Sequence, residues 1–313
     1  MKKNQLFYIV SFTLVILFVL ITAFLFSQPD RLLHIVFCDV GQGDGIYIRF
    51  PGGEDMVIDG GPNSNILSCL GDHMAFLDRT VEIVLLTHPQ YDHYRGLTDM
   101  VSRYNVKILI ASPVENKAES YQEFKKIVRE NKIAVKNAYA GDGIRIGDAA
   151  SGKNVEIAVL SPDKIWVADN ISSINQHDDL LSNKVLGLTT KHDDLNDFTI
   201  VTQISYGLFD VLLSGDAESK VLDKIINDGK IVSNDIEVLK IAHHGARAGL
   251  NQNIAEYIKP DLAVISVGKN NRYGHPTKEV LEILESLNIP IKRTDLDGEV
   301  ETVTDGKRWH LIE

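Results

Sequence analysis

The segment Thr87-His88-Pro89-Gln90-Tyr91-Asp92-His93-Tyr94-Arg95-Gly96 gathers two imidazoles and a carboxylate within six residues. Neutral imidazole and carboxylate are ligands that zinc, manganese and iron accept from proteins. The preceding apolar run, residues 83–86, reads as a buried strand, so His88, Asp92 and His93 emerge at its end. The spacing His-x-x-x-Asp-His is not helical from end to end, which predicts a bent strand-to-helix loop wrapped around an ion. Gln90 occupies the internal position where a metal-binding version would carry another ligand.

Four further groups carry similar chemistry. Ser214-Gly215-Asp216 closes an apolar strand with a carboxylate. Lys240-Ile241-Ala242-His243-His244-Gly245 closes another with paired histidines. Tyr273-Gly274-His275-Pro276 precedes a helix, and Ile58-Asp59-Gly60-Gly61 follows a strand. Taken singly, each has a plain structural reading: Gly-Asp and Asp-Gly are turn chemistry, and paired histidines are commonly surface or core residues. Their accumulation at strand ends points elsewhere, because the carboxyl ends of parallel strands share one edge where sites form.

In this order, His88-x-x-x-Asp92-His93-x-x-Gly96, Ser214-Gly-Asp216 and His243-His244-Gly245 resemble the metallo-β-lactamase-fold hydrolases. More narrowly they resemble the branch containing the C-terminal domain of the DNA-uptake channel protein ComEC. Residues 39–44 (DVGQGD), 58–61, 195–199 and 264–276 extend the likeness over residues 33–313. The resemblance implies a four-layer αββα sandwich and a site for one or two divalent ions, zinc or manganese. It places Asp92, His93, Asp216 and His244 on one ion and His88 on the second, with Asp216 able to bridge. His243 and His275 would stand at the rim and touch substrate. Gln90 departs from the family pattern and weakens the second position, and residues 196–199 replace a further histidine there. Ala246 stands where that branch commonly has serine.

Elements that position these residues follow from periodicity and turn signals. Residues 33–39, 45–50 and 55–59 read as consecutive strands. Helical patterns over 63–77, 96–104 and 119–131 interleave with strands at 82–87 and 106–111. Residues 140–148 and 155–160 read as a hairpin. Residues 163–197, rich in Asn, Asp and Ser, read as an insertion or lid with some helix over 174–188. Strands over 198–205, 209–214, 236–242 and 262–267 then alternate with helices over 218–227, 250–258 and 278–287. Short strands at 291–294, 299–304 and 308–312 close the chain.

Residues 6–26 are uncharged and almost wholly apolar, about the 20 residues that span a bilayer as a helix. Lys2 and Lys3 precede them. The run exceeds the apolar core of a usual signal peptide and lacks a small-residue cleavage motif, so residues 1–30 read as an uncleaved anchor and 31–313 as the hydrolase domain. The leading lysines favour a single-pass membrane protein whose catalytic domain is extracytoplasmic. Cys38 and Cys69 are the only cysteines; Cys38 reads most simply as a buried small hydrophobe, with a Cys38–Cys69 disulfide the alternative permitted outside the cytoplasm. The net charge of −11, from 32 basic and 43 acidic residues, argues against a dedicated nucleic-acid surface.

These observations favour a membrane-anchored, metal-dependent hydrolase, most simply a phosphodiesterase using metal-activated water. Asp92 or Asp216 would orient that water, and His243 or His275 would protonate the leaving oxygen. DNA is the substrate the resemblance suggests first; a smaller phosphodiester fits the charge better. No organic cofactor is implied. The competing readings are a catalytically weak binding or assembly module of the same fold, motivated by Gln90, and a small-molecule ester or lactone hydrolase.

Overall fold

The computed structural model describes residues 3–26, 29–147, 152–171, 187–191, 194–232 and 235–312. Alternating side chains explain its layering. In Leu33–Phe37 (β1), Leu33, Ile35 and Phe37 enter one core while Val36 enters another on the opposite face. Gly45–Arg49 (β2) and Asp55–Gly60 (β3) repeat the pattern, with Ile46, Ile48, Met56 and Ile58 inward and Tyr47 and Val57 outward. Strands apolar on both faces must be covered on both.

Two sheets result. The first has eight strands in the order Trp309–Ile312 (β15), Val300–Thr304 (β14), β1, β2, β3, Thr80–Leu86 (β4), Asn105–Ala111 (β5) and Ala134–Asn137 (β6). The second has seven, in the order Ile291–Arg293 (β13), Leu262–Ile265 (β12), Val238–Lys240 (β11), Phe209–Leu213 (β10), Val201–Tyr206 (β9), Asn154–Ser161 (β8) and Gly143–Gly147 (β7). Their inner faces share one core that includes Ile35, Phe37, Ile58, Ile157, Ile204, Val211 and Val264. Helices Ile66–His73, Tyr91–Val101 and Glu119–Glu130 cover the outer face of the first sheet. Helices Ser219–Asn227, Gln252–Ile258 and Lys278–Ser286 cover that of the second. Each fully buried Leu, Ile or Phe contributes about 1.5–3 kcal/mol, so three contiguous cores hold the layers together. The expected αββα sandwich is present.

Strands β3 to β6 pair in parallel, as do β10 to β13. Their carboxyl ends carry the motif residues.

Several local expectations need correction. The helix expected from residue 96 begins at Tyr91, so Asp92 and His93 belong to its first turn. Gln90 has extended backbone angles that admit the chain, and a carboxylate in the first turn suits the helix dipole. Gly96 lies mid-helix because the helix crosses the end of β3 there: a Cβ would meet the Gly60 carbonyl oxygen at 1.9 Å. The strand expected over 236–242 is regular only at β11 and then turns into the short helix Ala242–Gly245. Cys38 is not a free thiol. It is joined to Cys69 by a disulfide across 31 residues, tying the loop after β1 to helix Ile66–His73.

The insertion begins with helix Lys164–Asn170 and returns through the short helix Leu195–Phe198. Val167, Ile171, Leu188 and Phe198 pack with Val114 and Tyr139 in a separate small core. Most of the helix expected over 174–188 lies outside the described residues. The N-terminal helix runs Lys3–Phe26. Among the described residues no helix is long and apolar enough to cross a membrane, so a spanning reading of residues 6–26 rests on the sequence alone.

Closing a loop of this length restrains the unfolded chain by about 3–4 kcal/mol. Cys69→Ser is therefore expected to lower the urea midpoint by an amount equivalent to about 2–4 kcal/mol, and dithiothreitol to do the same to the unmodified chain. Equal midpoints with and without reductant would contradict the bond.

Candidate metal centre

Strand ends from both sheets supply the site. Asp59 lies at the end of β3, and Thr87 and His88 follow β4. Asp216 follows β10 through Ser214-Gly215, and His243 and His244 follow β11. Asp44 comes from the loop between β1 and β2. The backbone is held in unusual conformations where these residues converge. Asp59, His243 and His244 have φ of 56°, 51° and 55°, a left-handed region that non-glycine residues avoid. Gly215 (φ 51°) also meets a steric demand, since a Cβ there would lie 2.6 Å from the Thr199 methyl. Such strain costs about 1–3 kcal/mol per residue and concentrates at functional sites.

Asp92, His93, Asp216 and His244 present ligand atoms that all lie within 4.8 Å of one another. His93 Nε2 and His244 Nε2 stand 3.3 Å and 3.4 Å from Asp216 Oδ2, and His244 Nε2 is also 3.4 Å from Asp92 Oδ2. Each imidazole is oriented from behind. His93 Nδ1 donates to Asp59 Oδ2 at 2.7 Å, and Asp59 is itself fixed by Thr87 N–H and Thr87 O–H. His244 Nδ1 donates to the Ser266 carbonyl at 3.0 Å. Both rings therefore turn Nε2 inward, the arrangement that sets a metal-binding tautomer.

The electrostatics fit the same picture. Burial opposes charge on Asp216, yet the facing His244 and His93 outweigh it and hold its carboxyl well below the usual range. Burial likewise opposes charge on His93 and His244, but Asp216 overrides it and raises both imidazoles well above theirs. Asp44 is held down against its burial by Lys240 and His244. Lys240 is fully buried at the end of β11. Its ammonium pairs with Asp44 Oδ2, donates to the Gly215 carbonyl at 2.8 Å and lies 3.8 Å from Asp216 Oδ1.

The sequence motifs are thus distributed over a centre and a rim. Four of the five expected ligands meet at one point. His88 is the fifth: its ring lies beside that of His93, tilted by 56° with centroids 4.1 Å apart, but it is not among the four. Burial pushes its imidazole down to about 3, so it is neutral. Gln90 is turned away, its Nε2 donating to Asn196 Oδ1 at 2.8 Å. His243 and His275 stand together at the rim, ring centroids 5.8 Å apart, with Tyr273 against His275. Sequence reading assigned no role to Asp44, Lys240 or Asn196. The signal for Lys240 was a lone charge inside an apolar strand; for Asp44 and Asp59 it was a carboxylate held in a glycine-rich turn.

The donor set suits a divalent cation. Nε2 of His88, His93 and His244 and both oxygens of Asp216 are buried without a hydrogen-bond partner. Leaving a buried polar group unmet costs about 1–3 kcal/mol, so this many orphaned atoms facing one point call for a ligand. Asp44, Asp59 and His93 form another close group, but Asp59 and His93 already satisfy each other.

A profile of the metallo-beta-lactamase superfamily matches residues 38–269, well over half of the chain. The chain belongs to the metallo-beta-lactamase superfamily. Within it, the chain is 25% identical over 280 residues to ComE operon protein 3 of Bacillus subtilis, covering 84% of this chain and 32% of that protein. It is 24% identical over 311 residues to Recombination protein 2 of Haemophilus influenzae, covering 95% of this chain and again 32% of the relative. The chain therefore spans about a third of the length of these curated relatives. Among solved structures, the metallo-beta-lactamase fold protein YhfI from Bacillus subtilis aligns with a TM-score of 0.47 at 12% identity, over 84% of this chain and 96% of that one. The ComEC-like resemblance read from the motifs agrees with the first of these relatives.

A cation entering this superfamily site must displace protons from His93 and His244, because their raised affinity keeps both protonated near neutrality. Protons and cation compete, so affinity falls as pH falls. Calorimetric titration with zinc near pH 7, in two buffers of different ionisation enthalpy, should show release of more than one proton per ion. Zero proton release would contradict the imidazolium assignment.

Proposed function

We propose that the chain is a membrane-anchored, divalent-metal-dependent hydrolase of phosphodiester bonds, with Asp92, His93, Asp216 and His244 as the ligands of its principal ion. The carrying observation is the convergence of those four side chains, with orphaned donor atoms, from separate strand ends. His88 is the remaining ligand of a weaker second position, because Gln90 is committed to Asn196. A bound dication supplies Lewis acidity toward a phosphoryl oxygen and can lower the pKa of water from 15.7 to about 7.

The chain's own groups supply the rest. Asp92 is the most exposed of the four ligands and can accept a proton of the attacking water. His243 Nε2, 3.9 Å from Asp216 Oδ2, is placed to donate a hydrogen bond to the leaving oxygen. His275 shares the rim, and its buried Nδ1 has no partner. Burial of His93, Asp216 and His244 excludes bulk water behind the reacting face.

Two features support the phosphodiester class. Rim histidines suit an alkoxide leaving group, and the curated relatives carry names from competence and recombination, which puts DNA first among substrates. The net charge of −11 argues for small phosphodiesters as well, since no basic composition draws in long nucleic acid. For the anchor, apolar side chains such as Phe7, Phe12, Leu14 and Leu17 are exposed on the N-terminal helix. The Cys38–Cys69 disulfide suits a domain outside the cytoplasm, where such bonds persist.

Turnover of bis-p-nitrophenyl phosphate with added zinc or manganese is the expected activity, and Asp216→Ala should abolish it. Cation binding without turnover of this substrate or of DNA would favour the binding-module reading; turnover of lactones alone would favour an acyl hydrolase. Protease added to intact cells should digest the domain, whereas a protected domain would reverse the topology.

A further inference from the structure

Gln90 fails as a metal ligand, yet its side chain is not idle. Its Nε2 donates to Asn196 Oδ1 at 2.8 Å. Asn196 is buried, and its own Nδ2 lies 3.5 Å from His243 Nδ1. An amide nitrogen has hydrogens to give and no lone pair to accept with. Donation therefore runs one way, from Gln90 to Asn196 to His243, and His243 Nδ1 must be the acceptor. In the neutral ring the proton then resides on Nε2, which faces Asp216 and the metal ligands. His243 is also fixed through its backbone, whose N–H donates to the Gly215 carbonyl at 3.1 Å, in a left-handed conformation at φ 51°. Ring orientation and tautomer are thus set separately.

We infer that Gln90 and Asn196 are positioning residues that hold His243 in its Nε2–H tautomer, aimed at the leaving oxygen. This rests on the hydrolase reading for its purpose, but not for its observation. The position that departs from the metal-binding pattern is reused as the anchor of a hydrogen-bond chain that holds a neutral Nε2–H donor toward the leaving oxygen. The chain of bonds crosses from the Tyr91–Val101 helix start, through the end of the insertion, to the turn after β11. It thereby couples the insertion to the rim of the site.

The charges around His243 are few. Glu218 Oε1 lies 3.9 Å from Nδ1 and Asp216 Oδ2 lies 3.9 Å from Nε2, and His275 meets the ring edge to face. Neither carboxylate is within hydrogen-bond distance, which leaves Asn196 as the closest printed partner of Nδ1.

Tautomers are read directly by long-range nitrogen–proton correlation spectra of the full chain, detergent-solubilised, with 15N-labelled histidine. Ten histidines are present, and a His243→Gln spectrum assigns the His243 signals. The expected pattern, with and without zinc, is a protonated Nε2 and an unprotonated Nδ1. Asn196→Asp replaces the donor with an acceptor and should move the proton to Nδ1. Gln90→Leu frees the Asn196 amide to rotate and should give a mixture. Circular dichroism and zinc stoichiometry of each variant, equal to those of the parent chain, show that fold and ligands are intact. A protonated Nδ1 in the parent chain, or an unchanged Asn196→Asp spectrum in a folded variant, would overturn the proposal. Where bis-p-nitrophenyl phosphate is turned over, Asn196→Asp should lower kcat by about 100-fold, the lower end for loss of a hydrogen-bond donor to developing oxygen charge, with KM little changed. Absence of turnover would count against the hydrolase reading and leave the spectra to decide the hydrogen-bond chain.

Discussion

A buried carboxylate must be compensated, and Asp216 is buried from all sides. An unpaired charge in such a place costs several kcal/mol, so the surroundings must answer it. They do so from three directions: His93 from a helix on the first sheet, His244 from the turn after β11, and the Lys240 ammonium from within β11. Asp44 then balances Lys240, and Asp59 balances His93. The partners come from both sheets, so the charge network forms only when the two halves of the sandwich are packed. Site and fold are the same constraint seen from two sides.

That network explains the tolerance of backbone strain. Asp59, His243 and His244 are forced into left-handed conformations, and each is held by contacts that would be lost if it relaxed. Asp59 accepts from Thr87 twice and from His93 once. His243 is fastened through its N–H to Gly215. The Cys38–Cys69 disulfide braces the loop that leads to Asp44, just before β2. Rigid support of this kind keeps the ligand atoms together at the expense of local backbone strain.

Much of the architecture was legible beforehand because its signals are local. Alternation in β1 to β3 fixed which side chains face inward, and glycine-rich turns marked where strands stop. The motif His88 to Gly96, with the downstream Gly-Asp and His-His-Gly, located the site. Where reading failed, the deciding contacts were distant in sequence. The helix was expected from residue 96, but it starts at Tyr91 because Gln90 is extended and the helix docks on β3 through Gly60 and Gly96. Cys38 read as a hydrophobe because nothing near it in the chain announces Cys69. Lys240 does end a strand as expected, but its buried pairing was not legible, since its partners Asp44 and Gly215 lie far away in sequence.

The sequence by itself determined the residue types at the strand ends, their order and the alternation that makes two double-faced sheets. It also determined that Gln90 breaks the ligand pattern. Only the tertiary structure decided which imidazole nitrogens face inward, that His88 stands beside the four-residue centre, and that Gln90 reaches Asn196. The reason is geometric. Ligation and tautomer depend on distances of a few ångströms between side chains more than a hundred residues apart, and only the packing of the two sheets sets those distances.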